Sequence, residues 1–265
     1  MKQKSFSGRL SSLAMAALLV AGAAPAAEVH VMISAGFFGV YSELGPGFER
    51  ATGHKLVTIR GPSMGDSPEA IPTRLARGEA ADVVILDGGA ADELGKRGLT
   101  RIASKVDLAE SKIGMVVRAG AAKPDISSVE ALKRTLLAAK SIGYSDSGSG
   151  TYLATTLFPQ LGIAEQVMPK SRKVRGPPSG EPVAAVVARG EVEIGFQQVA
   201  ELIHVPGITF VGTIPAAVQP PTFYSGAITT KAAEPAAAAA LLRFLAAPEA
   251  APVIAKAGLA PITVR

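Results

Sequence analysis

Tyr144-Ser145-Asp146-Ser147-Gly148-Ser149-Gly150-Thr151-Tyr152 joins a short apolar run to an amphipathic helical pattern. Small residues alternate with serines where a strand must give way to a helix. Hydroxyls and unpaired backbone N–H groups therefore gather at the positive end of a helix dipole. Such a junction suits a bound anion. A second junction of the same kind stands earlier, at Gly61-Pro62-Ser63-Met64-Gly65-Asp66-Ser67-Pro68. Two loops of this kind in one chain predict a cleft that captures a small acidic solute.

Outward from these loops, apolar runs alternate with helical patterns. Residues 29–34, 56–60 and 81–86 are expected strands, separated by helices at 41–52, 68–77 and 90–97 that Gly53, Gly78 and Gly98 end. The rhythm restarts with a strand at 114–118, a helix at 129–139 capped by Ser127 or Ser128, and a strand at 141–144 leading into the first-quoted loop. A helix at 150–161, a helix at 182–189 ended by Gly190 and a strand at 192–197 follow. A long strand at 222–230 and helices at 235–246 and 248–257 close the chain. Strand–helix units of this length argue for an α/β protein with parallel sheets and helices on both faces.

The two blocks predict two lobes, one from 27–111 with a C-terminal return over 202–265, the other from 112–201. Ligands of open parallel sheets lie beyond the carboxyl ends of the strands. The loops after Ile33, Arg60, Leu86, Tyr144 and Phe196 should then converge on one cleft between the lobes. No Gly-x-Gly-x-x-Gly follows the first strand, and no Gly-x-Ser-x-Gly elbow occurs with a histidine in a plausible place.

The N-terminus has the form of a secretory leader. Lys2, Lys4 and Arg9 precede an apolar stretch at 13–20 too short to span a bilayer, and Ala24-Pro25-Ala26 offers small residues for cleavage after Ala26. No cysteine follows to carry a lipid, so a soluble periplasmic protein is expected. The whole chain has 27 Lys+Arg against 22 Asp+Glu, but the leader holds three of the bases and no acid. The mature protein is close to neutral, which argues against nucleic acid as a partner. With no cysteine and only His30, His54 and His204, at spacings unlike a metal-ligand pair, a metal site is not expected.

Phe48-Glu49-Arg50-Ala51-Thr52-Gly53-His54-Lys55-Leu56, followed by Arg77-Gly78-Glu79-Ala80-Ala81-Asp82-Val83-Val84-Ile85, resembles the type 2 periplasmic solute-binding proteins, and among them the molybdate-binding branch. Val186-Val187-Ala188-Arg189-Gly190-Glu191-Val192-Glu193-Ile194-Gly195-Phe196 matches that branch in its second half. The resemblance covers nearly all of the mature chain. It implies two α/β lobes, a two-strand hinge, an interlobe cleft that closes on its ligand, and a monomer. Several positions depart from a molybdate site. Ser34-Ala35-Gly36-Phe37 follows the first strand, Gln197 or Gln198 stands where that branch carries a tyrosine, and Met64 and Asp66 lengthen the first serine loop. Phe37, Met64, Tyr152 and the glutamines suit a ligand with a carbon skeleton better than a compact oxyanion. The segments Gly61-Pro62-Ser63-Met64-Gly65, Tyr144-Ser145-Asp146-Ser147 and Ile194-Gly195-Phe196-Gln197-Gln198 also resemble the aconitate isomerases, periplasmic enzymes on the same fold. That resemblance implies a cofactor-free interconversion of trans- and cis-aconitate.

Two functions of different classes follow. The first is a receptor that captures a small di- or tricarboxylate, aconitate being favoured, for an ABC-type importer and its membrane permease. The second is an aconitate isomerase using the same cleft, and an inorganic oxyanion receptor comes third. Ser34, Ser63, Ser67, Ser145, Ser147 and Ser149, with Gly150, are the expected anion contacts. Serine is also a routine helix cap. Phe37 and Met64 are the expected apolar contacts, Arg60 and Arg175 the candidates for a bidentate carboxylate grip. Strand alternation should turn one of Gln197 and Gln198 inward and one outward. An allylic proton shift needs a base, for which Asp146 and Glu181 are the expected residues, with Asp87, Tyr152 and Tyr224 also near the cleft.

Overall fold

The alternation builds two sheets. A computed structural model describes residues 26–262; the expected leader lies outside them. The first sheet opens with β1 (Glu28–Ile33), α1 (Ala35–Thr52), β2 (Lys55–Arg60), α2 (Ile71–Ala76), β3 (Val83–Asp87) and α3 (Gly88–Lys96), and reaches β4 (Val106–Ser111). The chain then crosses to the second sheet, made of β5 (Ile113–Arg118), α4 (Val129–Ala138), β6 (Ile142–Ser145), α5 (Gly148–Tyr152), α6 (Phe158–Gln160), α7 (Ala164–Val167), β7 (Ser171–Val174), α8 (Val183–Ala188), β8 (Ile194–Gln198), α9 (Val199–Leu202) and β9 (Ile208–Thr213). It crosses back to β10 (Thr222–Ile228), α10 (Pro235–Leu245), α11 (Ala251–Lys256) and the short β11 (Ala260–Pro261).

Strand order is β11-β4-β10-β3-β1-β2 in the first sheet and β7-β6-β8-β5-β9 in the second. β1 runs parallel to β2 and β3, as its strand–helix connections require. β10 is antiparallel to both β3 and β4, and β5 is antiparallel to β8 and β9, so each sheet is mixed where parallel sheets were expected. The returning strands cause this, because each enters its sheet from the opposite end. β9 pairs with β5, so the stretch expected to return to the first lobe from residue 202 contributes an edge strand to the second sheet before crossing back.

β3 reads Val-Val-Ile-Leu-Asp and is buried through Leu86, the pattern of a central strand covered on both faces. α1 begins at Ala35, six residues before the expected start. Gly36 and Gly39 lower its intrinsic propensity, and packing decides instead: Phe37, Val40, Tyr41 and Phe48 all face the core of the first sheet, where Leu241, Leu242 and Leu245 of α10 meet them. Its end is as expected, with Gly53 in the left-handed region at φ 76° and its N–H bonded to Glu49 O. A separate core under the second sheet packs Tyr144, Leu153, Phe158 and Phe196 together. Two cores joined by two crossings, at Ser111–Ile113 and over 214–221, leave a space between the carboxyl ends of the strands.

Candidate functional site

That space holds a narrow cavity of about 20 Å³, little more than the room one water needs, which widens into hollows on either side. Ser34 enters it from the end of β1, Ser63 from the loop after β2, and Tyr224 from β10. From the second sheet come Ser145, Asp146 and Ser147 after β6, Gly176 after β7, and Gln197 and Glu201 around the end of β8. The two serine loops thus face each other across one cleft. A hollow of about 520 Å³ at the mouth shares Pro62 and Asp146 with the cavity and is bordered by Met64, Ser67, Lys173 and Arg175. A third, of about 170 Å³, lies against Met64, Asp87, Ser149, Tyr152 and Gln198.

The serines differ in what they have left to give. Ser128 caps α4 in the ordinary way, accepting a hydrogen bond from Ala131 N at 3.1 Å. Ser34 and Ser147 occupy the same N-cap position on α1 and α5, yet neither side chain bonds its own helix. Ser34 is only 4% exposed, and its Oγ has no protein partner. A buried hydroxyl without a partner costs free energy unless a ligand supplies one. Ser63 Oγ accepts from Asp87 N at 3.0 Å, which leaves its own proton to donate. Ser145 and Ser149 bond each other at 3.0 Å, and Gly150 N donates to Ser145 Oγ at 3.3 Å. Gly150 is therefore a packing residue: a β-carbon there would meet Ser145 O at 1.7 Å. Ser67 Oγ is also buried without a partner, at the mouth. A π-helical turn over Leu153–Leu157 continues α5, a distortion frequent beside functional sites.

Other expected contacts sit elsewhere. Phe37 is fully buried in the first core, its ring 6.4 Å from that of Tyr224, so it backs the site without lining it. Arg60 stacks its guanidinium 4.1 Å above the Phe38 ring, with Nε buried and unpartnered. Arg175 is held at the mouth by Glu69, whose Oε2 accepts from Arg175 Nη2 and Ser179 Oγ, both at 2.8 Å. This contact bridges the loop after β2 to the loop after β7, across the cleft. Gln197 and Gln198 are both buried, and of the two only Gln197 lines the cavity. Gln198 Oε1 accepts from Ser111 Oγ at 2.6 Å at the first crossing, while Gln197 bonds within the cavity wall. Glu181 lies outside the cleft, in an exposed two-bond pair with Arg189, each bond 2.6 Å. Asp146 stays at the cavity, its Oδ1 accepting from Gly176 N at 3.1 Å.

The sequence reading missed Glu201. α9 turns back immediately after β8 and packs on α1, bringing the Glu201 carboxyl into the cavity beside Tyr224. It keeps some surface open to the cleft. Burial pushes its carboxyl up to about 7; the Gln197 amide opposes this, the charge of Asp146 adds to it, and Arg60 and the Tyr224 hydroxyl pull it down. Tyr224 is raised well above its ordinary value, by burial first and then by the nearby carboxylates of Glu201 and Asp87. Asp87 is raised by burial, against the N–H groups of Ala90 and Gly89 that it caps. The available signal was a lone carboxylate four residues after Gln197 in an otherwise apolar turn, Val199-Ala200-Glu201-Leu202-Ile203. Among the described residues, no group of three His, Cys, Asp or Glu side chains could hold a metal ion.

Two α/β lobes, two crossings and an interlobe cavity rich in hydroxyl donors define a two-lobed solute-binding fold. Residues 29–260 match the family described as bacterial extracellular solute-binding protein, and the chain belongs to that family. It is 49% identical to an aconitate isomerase from a Pseudomonas species over 259 residues, 96% of this chain and 97% of the relative. It is 28% identical to the molybdate-binding protein ModA of Azotobacter vinelandii, over 94% of this chain and 96% of that one. Among solved structures, the periplasmic molybdate-binding protein of Azotobacter vinelandii superposes with a TM-score of 0.69 at 22% identity, covering 89% of this chain and 100% of its own. A periplasmic thiamin-binding protein superposes with a TM-score of 0.67 at 16% identity, over 90% of this chain and 84% of its own.

Proposed function

We propose that this protein is an aconitate isomerase, working in the periplasm on a solute-binding scaffold and using Glu201 as its proton carrier. The observation that carries the reading is the Glu201 carboxyl set beside Tyr224 in one cavity with Ser34 and Ser147, serines released from capping, where burial pushes that carboxyl up to about 7. A receptor has no use for a proton acceptor poised at neutral pH, whereas acid–base chemistry is most efficient there. The 49% identity to an aconitate isomerase along nearly the whole chain supports the same choice.

In this reading, Ser34, Ser63 and Ser147 donate to the substrate carboxylates. Glu201, as the carboxylate, takes a proton from the substrate methylene. The electron pair of that C–H bond becomes the new carbon–carbon double bond, and the former double bond shifts its electrons toward the far carboxylate. The same proton then passes from Glu201 to the former vinylic carbon. Substrate and product are isomers, so the step needs no oxidant, reductant or cofactor. Tyr224 keeps its proton at neutral pH because burial opposes its ionisation, and its hydroxyl is placed to donate to the charge that develops on the dienolate. Residues 27–111 with 222–262, and 113–213, act as the two closing bodies, β9 belonging to the second.

The test is chromatography of trans-aconitate incubated with the purified mature protein. Formation of cis-aconitate, reduced ~10²–10⁴-fold in Glu201→Gln while calorimetric binding persists, is the expected result. Saturable binding of aconitate without any turnover would overturn the reading in favour of a receptor that serves a permease. Tight tungstate binding with no response to aconitate would restore an oxyanion receptor.

A further inference from the structure

We propose that Gln197 is the positioning residue for Glu201, fixing which of its two carboxylate oxygens is free to face the substrate. This rests on the reading of Glu201 as the proton carrier. An amide can present either its oxygen or its nitrogen to a neighbour, and here the wall of the cavity dictates which. Gln197 Oε1 accepts from the backbone N–H of Val183 at 2.9 Å, in a fully buried contact. Val183 opens α8, so this N–H is one of the donors that a helix leaves without an internal partner. The N-cap residue is Pro182, which has no side-chain acceptor to offer it. With Oε1 committed, Nε2 must turn toward α9, where it donates to Glu201 Oε2 at 2.7 Å. Flipping the amide would strand the Val183 N–H and set two oxygens against each other. Oε2 of Glu201 is thus held by a donor that never ionises, and in this proposal the substrate proton goes to Oε1, with the Tyr224 hydroxyl also facing the carboxyl.

The geometry also ranks Gln197 among the groups that face Glu201. Asp146 approaches from the loop after β6, Arg60 from the end of β2, and the Tyr224 hydroxyl from β10, with Asp87 acting on Tyr224 from the neighbouring strand. Gln197 comes from β8, immediately before α9, and its bond favours the charged carboxylate. Its loss should leave Glu201 protonated at a pH where the wild type is ready to accept a proton.

The experiment compares the wild type, Gln197→Met and Gln197→Glu, with Glu201→Gln as reference. Infrared difference spectra assign to Glu201 the carboxyl band absent from Glu201→Gln, and its midpoint is followed with pH without substrate. Gln197→Met, of similar volume but with no donor, should move that midpoint up by about one unit and lower kcat/KM at pH 7 by about fivefold. The loss should be recovered by pH 9. Gln197→Glu keeps an acceptor for the Val183 N–H, so α8 stays capped if the methionine variant fails to fold. It sets a second carboxyl against Glu201 and should raise the midpoint further, since neighbouring carboxylates resist joint ionisation. An unchanged midpoint in whichever variant folds, or a loss of activity equal at every pH, would overturn the proposal. Absence of turnover in the wild type would instead strike the isomerase reading, while the infrared midpoint still decides the role of Gln197.

Discussion

A methyl group added at one of two glycines on the same helix should act in opposite directions. A β-carbon at Gly36 would stand 1.7 Å from the Tyr224 hydroxyl oxygen and 2.1 Å from its Cζ, whereas one at Gly39 would meet nothing within 4 Å. Gly39→Ala removes only the helix penalty of glycine and should stabilise by ~0.5–1 kcal/mol. Gly36→Ala offers the same gain but must displace a ring that is 4% exposed and packed against Phe37. Overpacking of that kind costs ~1–3 kcal/mol and exceeds the helix term. Urea melts followed by circular dichroism should separate the two variants by ~1–3 kcal/mol, and thermal melts by roughly 2–12 °C. Because the displaced hydroxyl is the one beside Glu201, Gly36→Ala should also lose turnover while Gly39→Ala keeps it. A Gly36→Ala protein as stable and as active as Gly39→Ala would refute the placement of Tyr224 against the start of α1, and with it the architecture of the cavity.

Ser34→Ala should leave the ligand-free protein as stable as the wild type in urea melts, since the lost hydroxyl caps nothing and has no partner; it should weaken aconitate binding by ~1.5–3 kcal/mol in calorimetry. Glu69→Ala removes the contact to Arg175 and Ser179 across the mouth and should speed ligand dissociation in stopped-flow measurements, with the wild type approaching the variant as salt is raised. Glu201 is ionised more easily when unfolded than when folded, so the folded state binds the extra proton and stability should fall as pH rises from about 4.5 through about 7. From the ordinary value to about 7, at 1.36 kcal/mol per unit, the penalty above pH 8 is roughly 3 kcal/mol, and Glu201→Gln should remove it in melts across that range.

The sequence carried the central strands and the helix stops but not the edges. Residues 83–86 are apolar throughout because β3 is covered on both faces, and Gly53, Gly78, Gly98 and Gly190 all adopt the positive φ that a helix end demands. β4 (Val-Asp-Leu-Ala-Glu-Ser) interleaves acids with its buried residues and β7 (Ser-Arg-Lys-Val) exposes two of its four, so no apolar run marks them, and partners far along the chain define them. The serine loops were legible because a strand-to-helix junction is a local feature. Whether Ser34 caps or stays free is not, since the answer depends on where α1 starts. Glu181 was chosen for its place near a loop, and Arg189, two turns along, takes it to the surface. Glu201 stands alone in an apolar turn of the sequence, and only the packing of α9 against α1 turns it inward.

The most direct measurement is kcat/KM for conversion of trans- to cis-aconitate between pH 5 and 9. A base titrating at about 7 requires activity to rise through a single limb centred there and level off above it, with Glu201→Gln inactive throughout. A flat profile from pH 6 to 8, or a Glu201→Gln variant that turns over as fast as the wild type, would contradict the assignment of proton transfer to this carboxyl.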